Sequence, residues 1–280
     1  MVTFVSLGLI LVGLTVTSTA ILPLTVRFFS KIIGKFWKIE AIFAERNIIK
    51  HKRRSSLTFF MLSTSIAFIV LIGTITSIYA ASAQASVQNY LGADVVVYSR
   101  EGILTSVATN ISLIEGVKAV CPVTMGISVK IGDLVLYRQY ALKIYGVNAS
   151  VFPNVTYARD TDFEDKTLHE AFEKLAEEND TIIISKGLAE SLKIDISDKI
   201  RVETGYRTFI LKVVAIAYSI PGFSFTKFKQ KAAGTDALVS LNTYYNLTRI
   251  LFAERFLVKI KDDFDPAVVA NAISDKIGNR

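Results

Sequence analysis

Few side chains in this sequence are placed to do chemistry. The histidines are His51 and His169. His169 stands in EDKTLHEAFEKLAEE, with Asp165 four residues before it and Glu173 four after. On a helix that spacing puts two carboxylates and an imidazole on one face, as a metal site needs. The string lacks the second histidine of an HExxH motif, and its other acidic residues read as a solvated face, so no metal is expected. His51, in a basic stretch, reads as one more polar surface residue. Cys121 is the only cysteine, so no intrachain disulfide can form. Between Val120, Pro122 and Val123 it reads as a small buried hydrophobe rather than a nucleophile or ligand. GxxxxGK[ST], GxGxxG and GxSxG are all absent, which removes those routes to a nucleotide site or a hydrolase nucleophile. No catalytic residue, metal or cofactor is expected, and the chain does not read as an enzyme.

The stretch GFSFTKFKQKAAG interleaves Phe223, Phe225 and Phe228 with Lys227, Lys229 and Lys231. Such interleaving can bind single-stranded nucleic acid. The topology below places it outside the cell, so the aromatics are expected to pack on the domain or a neighbour with the lysines solvated. A lipid or substrate contact is the alternative; nucleic acid is not expected as a partner.

The elements that must position these residues begin with two apolar runs. Residues 1–26 carry no charge and can span a hydrocarbon core, which takes about 20 helical residues. A cleaved signal peptide would have its basic residues before the apolar run; here Arg27, Lys31 and Lys35 follow it. A second charge-free window runs from Ser55 to Ala93, and its apolar part, Leu57–Ala81, also reads as a spanning helix. Between the spans lie nine basic residues against Glu40 and Glu45. That segment accounts for the +7 net charge of the whole chain, so the basic balance is a topology signal rather than a nucleic-acid footprint. The segment is expected in the cytoplasm and everything after about residue 83 outside. Sequons at Asn110, Asn148, Asn154, Asn179 and Asn246 all fall on the outer side and are candidate glycosylation sites.

The expected organisation is a transmembrane helix over 1–26, a basic cytoplasmic amphipathic segment over 27–54, a second transmembrane helix over 55–83, and an α+β extracytoplasmic domain over 84–280. An inserted subdomain is expected at about 150–220. In the inner segment, Ile39, Ile42, Phe43, Ile48 and Ile49 lean to one side of a helix that would lie along membrane lipid. Presenting a cytoplasmic surface to a partner is the alternative role. Gly73, Ser77 and Ala81 form a small-residue stripe that would admit a neighbouring helix, and equally fit ordinary membrane-helix composition. The helix is expected to continue to Gly92. The outer domain then reads as strands at Asp94–Ser99, Val117–Ile131 and Leu134–Val147, the last two turning at Gly132-Asp133, with Pro122 marking an edge or a bulge. A helix is expected at Ser106–Glu115. Further on come a helix at Thr167–Glu178, a strand at Thr181–Ser185, a short helix at Lys186–Leu192 and a hairpin of Lys199–Thr204 with Thr208–Tyr218. The last elements are a strand at Ala237–Leu241, a helix at Asn242–Leu251, a strand at Phe256–Lys261 and a helix starting at Asp265-Pro266.

The string AERNIIKHKRRSSLTFFMLSTSIAFIVLIG, Ala44–Gly73, resembles the entry helix of FtsX-like/MacB-like ABC transporter permeases. GADVVVYS, IEGVKAVCPV, TIIISKGLAESLKIDISDKIRVETGYRTFILKVVAIA and FLVKIKDDFDPAVVANAISDKI resemble the extracytoplasmic core of that family, so the likeness covers about Ala41–Ile277. It rests on the order of elements rather than on one diagnostic motif. The resemblance implies a multi-pass plasma-membrane permease half with a MacB-like periplasmic core. It also implies a separate cytoplasmic ABC ATPase touching Glu45, Arg46, Asn47 and Lys50, and a second permease subunit or further permease helices, as in a dimer. In such a permease the helix Leu57–Gly92 would act as the rod between ATPase and outer domain. Further membrane helices would follow the outer domain, whereas this sequence ends at Arg280, so a fragment, a truncated gene or a split protein is expected. Residues 1–26 would then be the last helix of a preceding permease unit. The other function class is a two-span receptor or adaptor whose outer domain binds a ligand or protein.

Overall fold

The computed structural model describes residues 13, 17, 26–35, 37–133, 139–205, 207–225 and 236–277. The expected first membrane helix therefore lies almost wholly outside the described residues, as do Lys227, Phe228, Lys229 and Lys231. The chain divides into two compact units, Met1–Ala83 and Gln84–Arg280.

In the first unit residues 26–33 are helical, α1 covers Lys38–Lys50, and α2 begins at Lys52. Trp37, Ile39, Ile42 and Phe43 are all exposed. One residue separates the two helices: the His51 amide donates back to the Asn47 carbonyl, and the His51 carbonyl accepts from Ser55. His51 is thus the break between them. α2 runs over Lys52–Leu91, 40 residues, or about 60 Å at 1.5 Å per residue. Its part Leu57–Leu91 is long and apolar enough to cross a membrane, with a window of mean hydropathy 2.1 of which nothing is buried. Thr64, Ser65, Thr74, Thr76 and Ser77 each donate to the carbonyl four residues back, which satisfies their hydroxyls within the helix.

The second unit is α+β. Its nine strands are β1 (Val95–Leu104), β2 (Val117–Thr124), β3 (Ile127–Asp133), β4 (Gln139–Val147), β5 (Thr181–Ser185), β6 (Lys199–Glu203), β7 (Thr208–Ala217), β8 (Asp236–Ser240) and β9 (Phe252–Ile260). They form one sheet in the order β1-β9-β2-β4-β3-β6-β7-β5-β8, and β8 also pairs in parallel with β4. Strands β4, β3, β6, β7, β5 and β8 therefore close into a ring, and β1, β9 and β2 extend from it through the bridge Val123↔Val147. The segment at about 150–220 supplies β5, β6 and β7 to this ring, which takes β3, β4 and β8 from outside it.

Every residue of β5 is buried because both faces of the strand are covered. Ile182 and Ile184 join a cluster with Val129, Ile131, Val202, Leu211 and Val213, while Ile183 faces Phe172 and Leu175 of α5 (Leu168–Glu177) in another. A third cluster packs β1, β2 and β9 against α3 (Val107–Ser112) and α8 (Pro266–Ile277) through Ile111, Phe256, Val269 and Ile273. The remaining helices are α4 (Phe152–Val155), α6 (Lys186–Leu192) and α7 (Leu241–Thr248).

Two expected elements differ. Val117–Ile131 is two strands, interrupted at Met125-Gly126, where the Tyr145 ring occupies the space a Gly126 side chain would need. Gly132-Asp133 is not the turn: Gly132 pairs with Gln139 and Asp133 with Ile200, so both are strand residues. Pro122 lies in an interior strand, between β9 and β4, so only the irregularity expected of it is found. Beside it β2 touches β4 only at Val123, and the register with β9 shifts immediately after.

Candidate functional site

Two regions could carry function, one in each unit. In the first unit, Glu45, Arg46, Asn47 and Lys50 all lie on α1. Arg46, Asn47 and Lys50 are exposed and Glu45 is half-buried. Arg46 and Lys50 are one turn apart and so share a face. Lys50, in the last turn, also complements the negative end of the helix dipole. Glu45 turns into a groove of about 890 Å³ whose walls include Phe29, Trp37, Ile48, Arg54 and Phe59.

In the second unit, the end of α2 is tied to the sheet by backbone and charge. Gly92 closes the helix at φ +80°, and a side chain there would stand 2.6 Å from the Pro221 carbonyl oxygen. Glycine is the residue that accepts both the left-handed backbone and the close approach. The Gly222 amide donates to Asn89 O at 2.7 Å, and the Tyr157 amide to Gly92 O at 3.0 Å. Two residues on, the Asp94 carboxylate accepts from the Tyr157 hydroxyl, from Lys259 Nζ at 3.1 Å and from the Ile260 amide at 2.9 Å. The Lys259 ammonium also lies 5.2 Å from the Tyr157 ring centroid. Burial works to raise the Asp94 pKa. The Ile260 amide, the Tyr157 hydroxyl and the Lys259 ammonium outweigh it and hold the carboxyl below the usual carboxylate range. Burial, with Asp94 beside it, pushes the Tyr157 phenol up, so it stays a donor at neutral pH.

Nothing in the local sequence singles out Tyr157, Lys259 or Gly222 for this anchor. The one available signal was that Asp94 is the first charged residue after the window from Ser55 to Ala93. Its partners lie 63 to 166 residues away and carry no local mark.

The imagined carboxylate–imidazole trio does not assemble. Asp165 precedes the helix with φ +56°, outside the turn that carries His169 and Glu173, and no group of metal-ligating residues occurs among the described residues. Glu170 instead closes a capping box with Thr167. Cys121 is fully buried, and burial pushes its thiol up to about 12, which keeps it protonated. Phe225 is buried and Phe223 packs edge-on to Tyr145, so these two aromatics serve the domain. Of the sequon asparagines, Asn110, Asn154, Asn179 and Asn246 are exposed, and Asn148 is half-buried.

The sequence model of the MacB-like periplasmic core domain matches residues 55–276, and the chain belongs to that family. Among solved structures it is similar to the periplasmic region of MacB from Actinobacillus actinomycetemcomitans. The identity is 13%, 65% of this chain and 75% of that one are covered, and the TM-score is 0.45. It is also similar to the extracellular domain of the noncanonic ABC-type transporter YknZ from Gram-positive bacteria, at 16% identity over 65% of this chain and 93% of that one, with a TM-score of 0.45. No curated protein sequence matches it.

Proposed function

We propose that the chain is a permease component of an ABC transport system, with α2 crossing the plasma membrane and the second unit outside the cell. A separate cytoplasmic ATPase would dock on α1 through Glu45, Arg46, Asn47 and Lys50, and a second permease subunit would complete the path. The observation that carries the reading is the unbroken 40-residue helix whose far end is fixed by Gly92 and Asp94. A helix fixed in this way transfers displacement at its cytoplasmic end to the outer domain, because a continuous α-helix has no soft joint. Its exposed Leu62, Ile66, Phe68, Ile69 and Ile72 need an apolar cover, which a bilayer supplies. The family match supports the permease class.

The test is co-purification of the full-length protein in detergent with the ABC ATPase of its own cell, for wild type and for the double variant R46E/K50E. The permease reading expects the ATPase to co-purify with wild type and its recovery to fall by about tenfold or more in the double variant. No ATPase with wild type contradicts the reading and favours a two-span receptor or adaptor. An ATPase retained by the variant removes α1 as the docking surface.

A further inference from the structure

Beside the end of α2 lies a cleft of about 470 Å³ lined by Asn89, Leu91, Val96, Tyr98, Phe223 and Arg255. Its cation, Arg255, is half-buried and forms no ion pair among the described residues. The Arg255 guanidinium carbon lies 4.5 Å from the Phe223 ring centroid and 5.6 Å from that of Tyr145. Ring contacts of this kind satisfy the face of a guanidinium and leave its N–H edge for a planar anion.

No carboxylate among the described residues pairs with Arg255, and its Nε is closed off without a hydrogen-bond partner. Asp236 feels the Arg255 charge without forming an ion pair with it, and the acidic neighbours take their hydrogen bonds from other groups. Glu254 accepts from the Tyr98 hydroxyl at 3.1 Å and the Gly126 amide at 3.4 Å, and Asp236 accepts from the Ser224 amide at 2.7 Å. A half-buried cation held by ring faces but without an ion pair is incompletely compensated, and an incoming anion supplies the missing pair.

We propose that this cleft binds an organic carboxylate carried on an apolar body, the chemistry an aromatic or aliphatic residue presents at a peptide C-terminus. The carboxylate takes the guanidinium edge of Arg255, and the body packs on Phe223, Leu91 and Val96. This goes beyond the permease reading and does not depend on it.

The experiment titrates the full-length protein in detergent with N-acetyl-phenylalanine and with N-acetyl-phenylalaninamide, read by saturation-transfer NMR. The acid is expected to bind about tenfold or more tightly than the amide, and Arg255→Gln is expected to erase the difference. N-acetyl-Ala-Ala-Phe and its amide then separate the two sources. A tighter peptide acid identifies a chain end, and affinities equal to those of the single residue identify a small free acid. Equal binding of acid and amide, binding of neither, or an acid preference that survives in folded Arg255→Gln overturns the proposal. The first comparison uses wild type, so a variant that fails to fold leaves the test intact.

Discussion

Asp94 accepts from a hydroxyl, an ammonium and a backbone amide that come from two distant parts of the second unit, Tyr157 and the end of β9. Its removal is therefore felt at all three. Asp94→Asn keeps the shape and loses the charge, and is expected to destabilise the outer domain by about 2 kcal/mol, measured by urea unfolding followed by near-UV circular dichroism. The pH dependence has a definite sign. Because the folded pKa is depressed, the contribution of Asp94 is fully present above the unfolded value of about 3.9, and is lost as pH falls through that value and on through the lower folded one. Wild type should accordingly lose more stability than Asp94→Asn between pH 5 and pH 3, taken as about two units of acidification across the carboxylate range; equal losses would remove Asp94 as a contributor. The burial of Cys121 was readable from its apolar neighbours. The partners of Asp94 were not, since hydrogen bonds across 63 to 166 residues leave no trace in local spacing.

At the level of elements, sequence pattern found nearly every helix and strand of the second unit, and it erred where a neighbour decided the outcome. The Val117–Ile131 run is apolar throughout and offers no local reason to stop; it divides because Tyr145 fills the space beside Gly126. Gly132-Asp133 has the composition of a turn, yet the ring draws it into strand pairing with Gln139 and Ile200. The end of α2 at Gly92 was legible, but not its reason, the approach of Pro221. Gly92→Ala combines a left-handed backbone with a 2.6 Å clash against a backbone oxygen, and should cost about 2 kcal/mol or more in the same unfolding measurement. A second element test concerns α5. Phe172 is fully buried and stacks on Phe152 at 4.6 Å, so Phe172→Ala should cost about 3–5 kcal/mol, and a much smaller loss would mean that α5 is not part of the core.

For the molecule as a whole, ring closure removes the open edges of six strands and leaves β1, which pairs only with β9, as the edge of the sheet. A domain closed in this way suits a body that is moved as a unit by the helix attached to it. The α+β class and the family were within reach of sequence because they rest on element order. The closure of β8 onto β4 was not, since parallel pairing across some ninety residues depends on the whole fold. The central claim is that ATP hydrolysis inside the cell moves the outer end of α2. The direct measurement places a reporter at Tyr90, which is 84% exposed, as Tyr90→Cys. The one native thiol, Cys121, is buried and stays silent. The protein is reconstituted in vesicles with its ATPase, and labelling by a membrane-impermeant maleimide is followed with and without Mg-ATP. The account predicts that the reagent reaches the reporter from the outer face, that its labelling rate changes on ATP hydrolysis, and that two glycines inserted after Ser82 suppress the change. A labelling rate indifferent to ATP in a complex that hydrolyses it would contradict the coupling.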